Sequence, residues 1–147
     1  MPLVDHRLTV ALPWAPLVMS SKCPFCQITS DRFVMLNQYS IAFLDSFPIS
    51  KGHTLVIPLQ HVSSIYDLPE DRQADLWHLA ARIRHQLQQD LHPDGFNIGL
   101  NDGPAAGQTI NHAHIHVIPR FKGDIADPRG GIRWVLPEKA RYWSDHK

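Results

Sequence analysis

Charge of one sign is missing from this chain of 147 residues: fourteen lysines and arginines stand against fourteen aspartates and glutamates, for a formal net charge of zero. Without a global basic field, nothing holds a nucleic acid polymer or an anionic membrane surface by charge alone. Long apolar runs are missing too. The longest, Phe33–Leu36 and Ile41–Leu44, hold four residues each, far below the ~20 that a spanning helix requires. Cysteine is scarce: only Cys23 and Cys26 occur. Such a close pair cannot staple a secreted scaffold, which leaves a metal half-site, a redox pair or an accident of spacing. A redox pair would want a helix beginning at the first cysteine, for which the neighbouring residues give little support. The length suits one domain with a core of its own.

The stretch Leu8–Met19, followed by Ser20 and Ser21, has the outline of a signal peptide, but Pro13 and Pro16 interrupt it and Asp5 stands where positive charge belongs. Residues 1–20 therefore read as an N-terminal extension, and the protein as cytoplasmic. Phe33–Leu36 and Tyr39–Asp45 are β-branched, aromatic and apolar segments parted by Asn37 and Gln38, and His53–Pro58 follows a Pro/Ser/Gly turn. Pro69, Glu70 and Asp71 open a helix carrying apolar residues at Leu76, Leu79, Ala80, Ile83, Leu87 and Leu91, ended by Pro93-Asp-Gly95. Phe96–Leu100 and Thr109–Pro119 then read as strands. One long helix among antiparallel strands predicts an α+β fold with a meander. The segment from Phe121 onward has no clear period and is expected to be ordered by docking.

What is abundant is histidine, ten in all. His112, His114 and His116 alternate with Ala113, Ile115 and Val117, so an extended strand sets the three imidazoles in a row about 6.6 Å apart. A solvated strand face fits that alternation as well. The preceding loop, Gly103-Pro-Ala-Ala-Gly-Gln-Thr109, is more telling. Its glycines let backbone N–H groups approach an anion, and Gln108 and Thr109 add side-chain donors. His78 and His85 on the helix, and His6, His92 and His146 at termini or a helix end, read as surface positions.

The segment Gly107-Gln-Thr-Ile-Asn-His-Ala-His-Ile-His-Val-Ile-Pro-Arg120 resembles the His-x-His-x-His signature of the histidine triad (HIT) family, and Phe43-Leu-Asp45 and Gly52-His-Thr-Leu-Val-Ile-Pro58 resemble its sheet strands. The loop Asp102–Thr109 is most similar to that of the dinucleoside polyphosphate hydrolases. The resemblance implies a domain over residues 21–122 with a five-stranded antiparallel sheet, one long and one short helix. A tail over 123–147 would dock on that domain or on a partner in a homodimer joined through the sheet and helix.

It further implies cleavage of a substrate such as diadenosine tetraphosphate through a covalent nucleotidyl-histidine on His114. Alternatives are a nucleoside phosphoramidase or adenylyltransferase, a nucleotide-binding module with little turnover, or a metal-storage site. His116 would contact the phosphate and protonate the leaving group, with His112 and His53 supporting. For His114 Nε2 to attack, Nδ1 must carry the proton and donate it, most simply to a backbone carbonyl. By the same resemblance, Asp45 accepts from the ribose hydroxyls and Asn101, Gly107, Gln108 and Thr109 contact ribose or phosphate. Phe25, Ile28 and Phe43 would wall the base. From their residue types alone, Asp45 could equally be a turn cap and the aromatics could be core. Several family members complete a Cys pair with two histidines to bind structural zinc; the matching set here is Cys23, Cys26, His61 and His112.

Overall fold

The computed structural model describes residues 20–144; most of the N-terminal extension, with His6, and the chain end, with His146, lie outside them. Five strands form one sheet: β1 (Phe33–Leu36), β2 (Ser40–Leu44), β3 (Thr54–Pro58), β4 (Gly95–Gly99) and β5 (Ile115–Arg120). Between β3 and β4 lies the helix α1 (Glu70–Leu91), and a four-residue helix α2 (Pro137–Ala140) closes the described chain. The α+β expectation holds, and the three strands before the helix form the expected meander. The strand order is β1-β2-β3-β5-β4, all neighbours antiparallel, so the meander stops after β3. Its 22 residues make α1 about 33 Å long, enough to carry the chain past one strand position, and β5 returns into the gap.

α1 forms because Pro69 supplies its N-cap and Glu70 and Asp71 occupy the first turn, where carboxylates oppose the positive end of the helix dipole. It stops at His92, whose backbone turns left-handed (φ 49°) and whose N–H donates to the Gln88 carbonyl. Leu76, Leu79, Ala80 and Ile83 are buried against Ala42, Val56, Ile115 and Val117 of the sheet, while Leu87 is half-buried. Replacing Ile83 by alanine is worth roughly 2–5 kcal/mol at such a site. Asp75 pins the β1–β2 turn to the helix: its carboxylate accepts from the Ser40 hydroxyl at 2.5 Å and from the Tyr39 N–H at 3.3 Å, and its carbonyl accepts from Asn37.

The opposite face of the sheet carries a second cluster, Ile41, Phe43, Leu55 and Ile57, with Phe25 and Ile28 packed on it. The register that pairs Leu55 with His116 and His116 with Gly99 sets the histidine on this same face. Residues from the tail also reach the sheet there: Gly131 lies against the Asn97 side chain and Ile132 against Gly99.

Candidate active site and metal centre

The histidine row is built differently from the expected strand. β5 begins at Ile115, not Thr109, because the backbone of residues 112–114 makes other bonds. The Ala113 N–H donates to the Val62 carbonyl at 2.7 Å, and the His112 carbonyl accepts from the imidazole of His114 at 2.8 Å. Only His116 stands in the sheet. The rings still line up, with those of His114 and His116 centred 5.0 Å apart.

At one end, His112 is 1 % exposed. Its Nε2–H donates to the Pro58 carbonyl at 2.9 Å, which leaves the Nδ1 lone pair facing Cys23 Sγ at 3.5 Å and Cys26 Sγ at 3.6 Å. His61 Nδ1 lies 3.2 Å from Cys26 Sγ, and the four donor atoms all fall within 4.8 Å of one another. Tetrahedral zinc with Zn–S near 2.3 Å and Zn–N near 2.0–2.1 Å separates its donors by roughly 3.5 Å. The two sulfurs and two imidazoles fit that ion in both spacing and chemistry. Burial pushes the His112 imidazole down to about 4, opposed by its bond to Pro58 and reinforced by His61 and His114, so it is neutral at pH 7 as a ligand must be. Burial and the neighbouring Cys23 raise the Cys26 thiol, against a backbone contact from Ser20 that lowers it; a divalent cation would reverse that balance.

His114 is 7 % exposed. Because its Nδ1–H donates to the His112 carbonyl, its Nε2 carries a lone pair. The Phe25 ring stands edge-on to it at 5.2 Å and 83°. His116 is arranged by a chain of donors that starts in the Phe47–Gly52 turn. The Ile49 N–H donates to His53 Nδ1 at 3.3 Å, so His53 is protonated on Nε2, and that N–H donates to His116 Nδ1 at 2.9 Å. His116 therefore keeps its own proton on Nε2. Burial, then the neighbouring His114 and His53, hold the His116 imidazole down to about 4, against the attraction of Asp45. Burial likewise lowers His53, with Asp45 opposing. A lone pair on His114 thus stands beside an N–H donor on His116, a pairing suited to nucleophilic displacement in which the departing oxygen receives a hydrogen bond.

Asp45 follows β2, its Oδ2 3.5 Å from His53 Nε2 and its Oδ1 accepting from the Phe47 N–H at 2.9 Å. It thus caps the turn and stands beside His53. Phe25 and Phe43 meet edge to face at 5.4 Å; Phe43 is wholly buried, whereas Phe25 and Ile28 are half-buried and form the surface of that cluster.

In the loop before the row, Gly103 and Gly107 have φ of 92° and 94°, which only glycine adopts without strain. Gln108 departs from the expected donor role. Its Oε1 accepts from the Gly103 N–H, its Nε2 donates to the Ser63 and Ile110 carbonyls, and the backbone N–H groups of Gly107 and Gln108 donate within the loop. The side chain is a brace for the loop, and Thr109 remains exposed beside it. Asn101, with His116 and His53, lines a cavity of about 760 Å³. Its far wall comes from Ile132, Trp134 and Arg141 of the tail, residues whose sequence shows no period and whose place only the folded chain reveals. The Ile49 amide and the Pro58 carbonyl, which select the histidine tautomers, are backbone groups with no signature in sequence. His78 and His85 are exposed on α1, away from the row.

A row of three histidines leading into an inner strand of a five-stranded antiparallel sheet, with one ring freed on Nε2 by a backbone carbonyl, defines the class of histidine-triad nucleotide hydrolases and transferases. The family model for the HIT domain matches residues 27–123, and the chain belongs to the HIT family. It is 32% identical over 117 residues to the adenosine 5'-monophosphoramidase HNT1 of Saccharomyces cerevisiae, covering 77% of this chain and 72% of that protein. A zinc-bound histidine triad protein from Mycobacterium smegmatis is similar in structure with a TM-score of 0.66 at 38% identity, over 72% of this chain and 80% of that one. The diadenosine triphosphate hydrolase of Plasmodium falciparum, solved with Cyclomarin A, gives 0.64 at 30% identity over 68% of each chain. At the level of the family the protein is a nucleotide hydrolase or transferase acting on phosphoanhydride or phosphoramidate bonds. Among the described residues no helix is long and apolar enough to cross a membrane.

Proposed function

We propose that the protein cleaves dinucleoside polyphosphates of the diadenosine tetraphosphate type through a covalent nucleotidyl-histidine on His114. The observation that carries this reading is the 2.8 Å bond from His114 Nδ1 to the His112 carbonyl, which leaves Nε2 as the nucleophile beside the Nε2–H of His116. His114 Nε2 attacks the α-phosphorus; the bond from phosphorus to the bridging oxygen breaks, and that oxygen leaves as an anion with the His116 Nε2–H donating a hydrogen bond to it. A water molecule takes the place of the leaving group and gives up its proton to the solvent. The water oxygen then displaces His114 and releases the mononucleotide.

Asp45 receives the ribose hydroxyls, Asn101, Gly107 and Thr109 flank the sugar and phosphates, and Gln108 holds their loop. Phe25, Ile28 and Phe43 wall the base. Cys23, Cys26, His61 and His112 hold a structural zinc, a Lewis acid that in this closed set of four ligands stabilises the fold. Residues 21–122 make the catalytic domain, preceded by the extension 1–20 and followed by the docking tail 123–147. The working form is a cytoplasmic homodimer that pairs through the sheet and helix, an antiparallel sheet of this kind presenting an edge. A second reading keeps the nucleophile and changes the leaving group to an amine; the phosphoramidase HNT1 favours it.

The test is nucleotide release from diadenosine tetraphosphate and from adenosine 5'-phosphoramidate by wild type and His114→Ala, repeated after chelation. Turnover of the first that vanishes in the variant and survives chelation is expected. Turnover of the phosphoramidate alone selects the second reading, and turnover retained by His114→Ala overturns both. No turnover of either leaves a nucleotide-binding module.

A further inference from the structure

The histidine row has a closed end and an open end. At His112 the ring is enclosed by the Cys/His cluster and Phe25. At His116 the face of the sheet opens into the cavity of about 760 Å³, which also touches His53 and Asp45 but none of Phe25, Ile28, His112 or His114. A group whose departing oxygen accepts from the His116 N–H departs toward that opening. The volume lies within the roughly 300–1,000 Å³ of small-molecule sites, and much of the wall is apolar: Ile49, Ile118, Ile132 and Trp134.

Trp134 is oriented rather than loose. Its Nε1–H donates to the Arg129 carbonyl at 2.8 Å, the Arg141 guanidinium lies 5.9 Å from its ring centroid, and 38 % of its surface is exposed. A fixed, half-open indole with a cation beside it and the amide of Asn101 on the same cavity wall suits a flat heteroaromatic ring joined to phosphates. The one tail carboxylate on the wall, Asp127, is paired with Arg129 at 2.8 Å, which limits its repulsion of an anion.

We propose that this cavity is the subsite for the second nucleoside of a dinucleoside polyphosphate, with Trp134 the stacking wall that sets the preference for a leaving group bearing a base. The inference rests on the reading of the protein as a dinucleoside polyphosphate hydrolase and adds the place of the half that leaves first.

The experiment compares kcat/KM for diadenosine tetraphosphate and for adenosine 5'-tetraphosphate, which carries the same phosphate chain without the second nucleoside, in wild type, Trp134→Ala and Trp134→Phe. Trp134→Ala should lower the value for the dinucleoside about tenfold and leave that for the mononucleoside within about twofold, and Trp134→Phe should restore most of the loss. Equal losses on both substrates, or none on either, overturn the subsite; circular dichroism of each variant identifies misfolding. A second measurement needs no turnover: diadenosine tetraphosphate should bind His114→Ala about tenfold more tightly than the double variant with Trp134→Ala, and equal affinities overturn the subsite. Failure of the underlying reading shows separately, as wild type that turns over neither tetraphosphate.

Discussion

His112 and His116 lie four residues apart, yet their surroundings ask opposite things of the same imidazole. His112 donates through Nε2 to Pro58 and turns its Nδ1 lone pair on two sulfurs, whereas His116 accepts at Nδ1 from His53 and keeps its N–H for the open side. Both are held neutral to about pH 4 by burial. Protonation state therefore does not distinguish them. The tautomer does, and a single carbonyl or a single N–H partner selects it. Between them His114 uses the backbone of the first to free its nitrogen for chemistry beside the second, so a structural end and a reactive end share one short segment.

Breaking the closed end should give the largest effect. Cys26→Ser removes one of the four donors proposed to hold zinc; because a structural zinc contributes its binding energy to folding, roughly 10 kcal/mol in small zinc domains, the variant should purify with little zinc and melt well below wild type. Full zinc content and an unchanged melting temperature would detach the cluster from the fold. At the open end, His116→Ala should cut kcat about 10²- to 10³-fold, the usual worth of one donor aimed at developing charge, with little change in melting temperature. The loss should shrink for a substrate whose departing oxygen develops less charge, a contrast that a structural role for His116 would not produce.

The pH dependence sharpens the same contrast more gently. His116 titrates at about 4 when folded and near 6.5 when unfolded, so between those values the unfolded chain binds the extra proton. Its neutral burial costs nothing above pH 6.5, costs progressively more as pH falls toward 4 and levels off below. The partly solvated ring makes this on the order of 2 kcal/mol. Denaturant melts of wild type and His116→Gln should diverge in acid by that much. Parallel stability curves would show that His116 is not the group responsible. Smallest of all, Gln108→Leu removes the brace of the loop and should cost about 1–2 kcal/mol in stability, with binding weakened more than kcat.

The parts of this arrangement legible in sequence are those that recur with a period or stand in a motif. The apolar stripe of α1 and the alternation around the histidines could be placed before the fold was known; the pairing of the two cysteines with His61 and His112 came only from the family resemblance. What escaped was carried by backbone groups or by context. Alternation alone made Thr109–Pro119 a strand, but the His112 carbonyl takes the His114 proton and the Ala113 amide reaches Val62, so pairing starts only at Ile115. Gln108 looked like a phosphate donor because an amide side chain says nothing of which carbonyls the loop brings to it. The tail has no period because it packs through scattered contacts, Gly131 on Asn97 and Arg129 on Trp143 among them, and so its share in the cavity wall could not be read.

The central claim is that His114 is the atom-bearing nucleophile. It is tested most directly by rapid acid-free quenching of wild type with diadenosine tetraphosphate, followed by intact-protein and peptide mass measurement. The account predicts a mass increase of one adenylyl group, mapped to His114 and absent from His114→Ala. Steady turnover with no adduct trapped at any time, or an adduct on another residue, would contradict it.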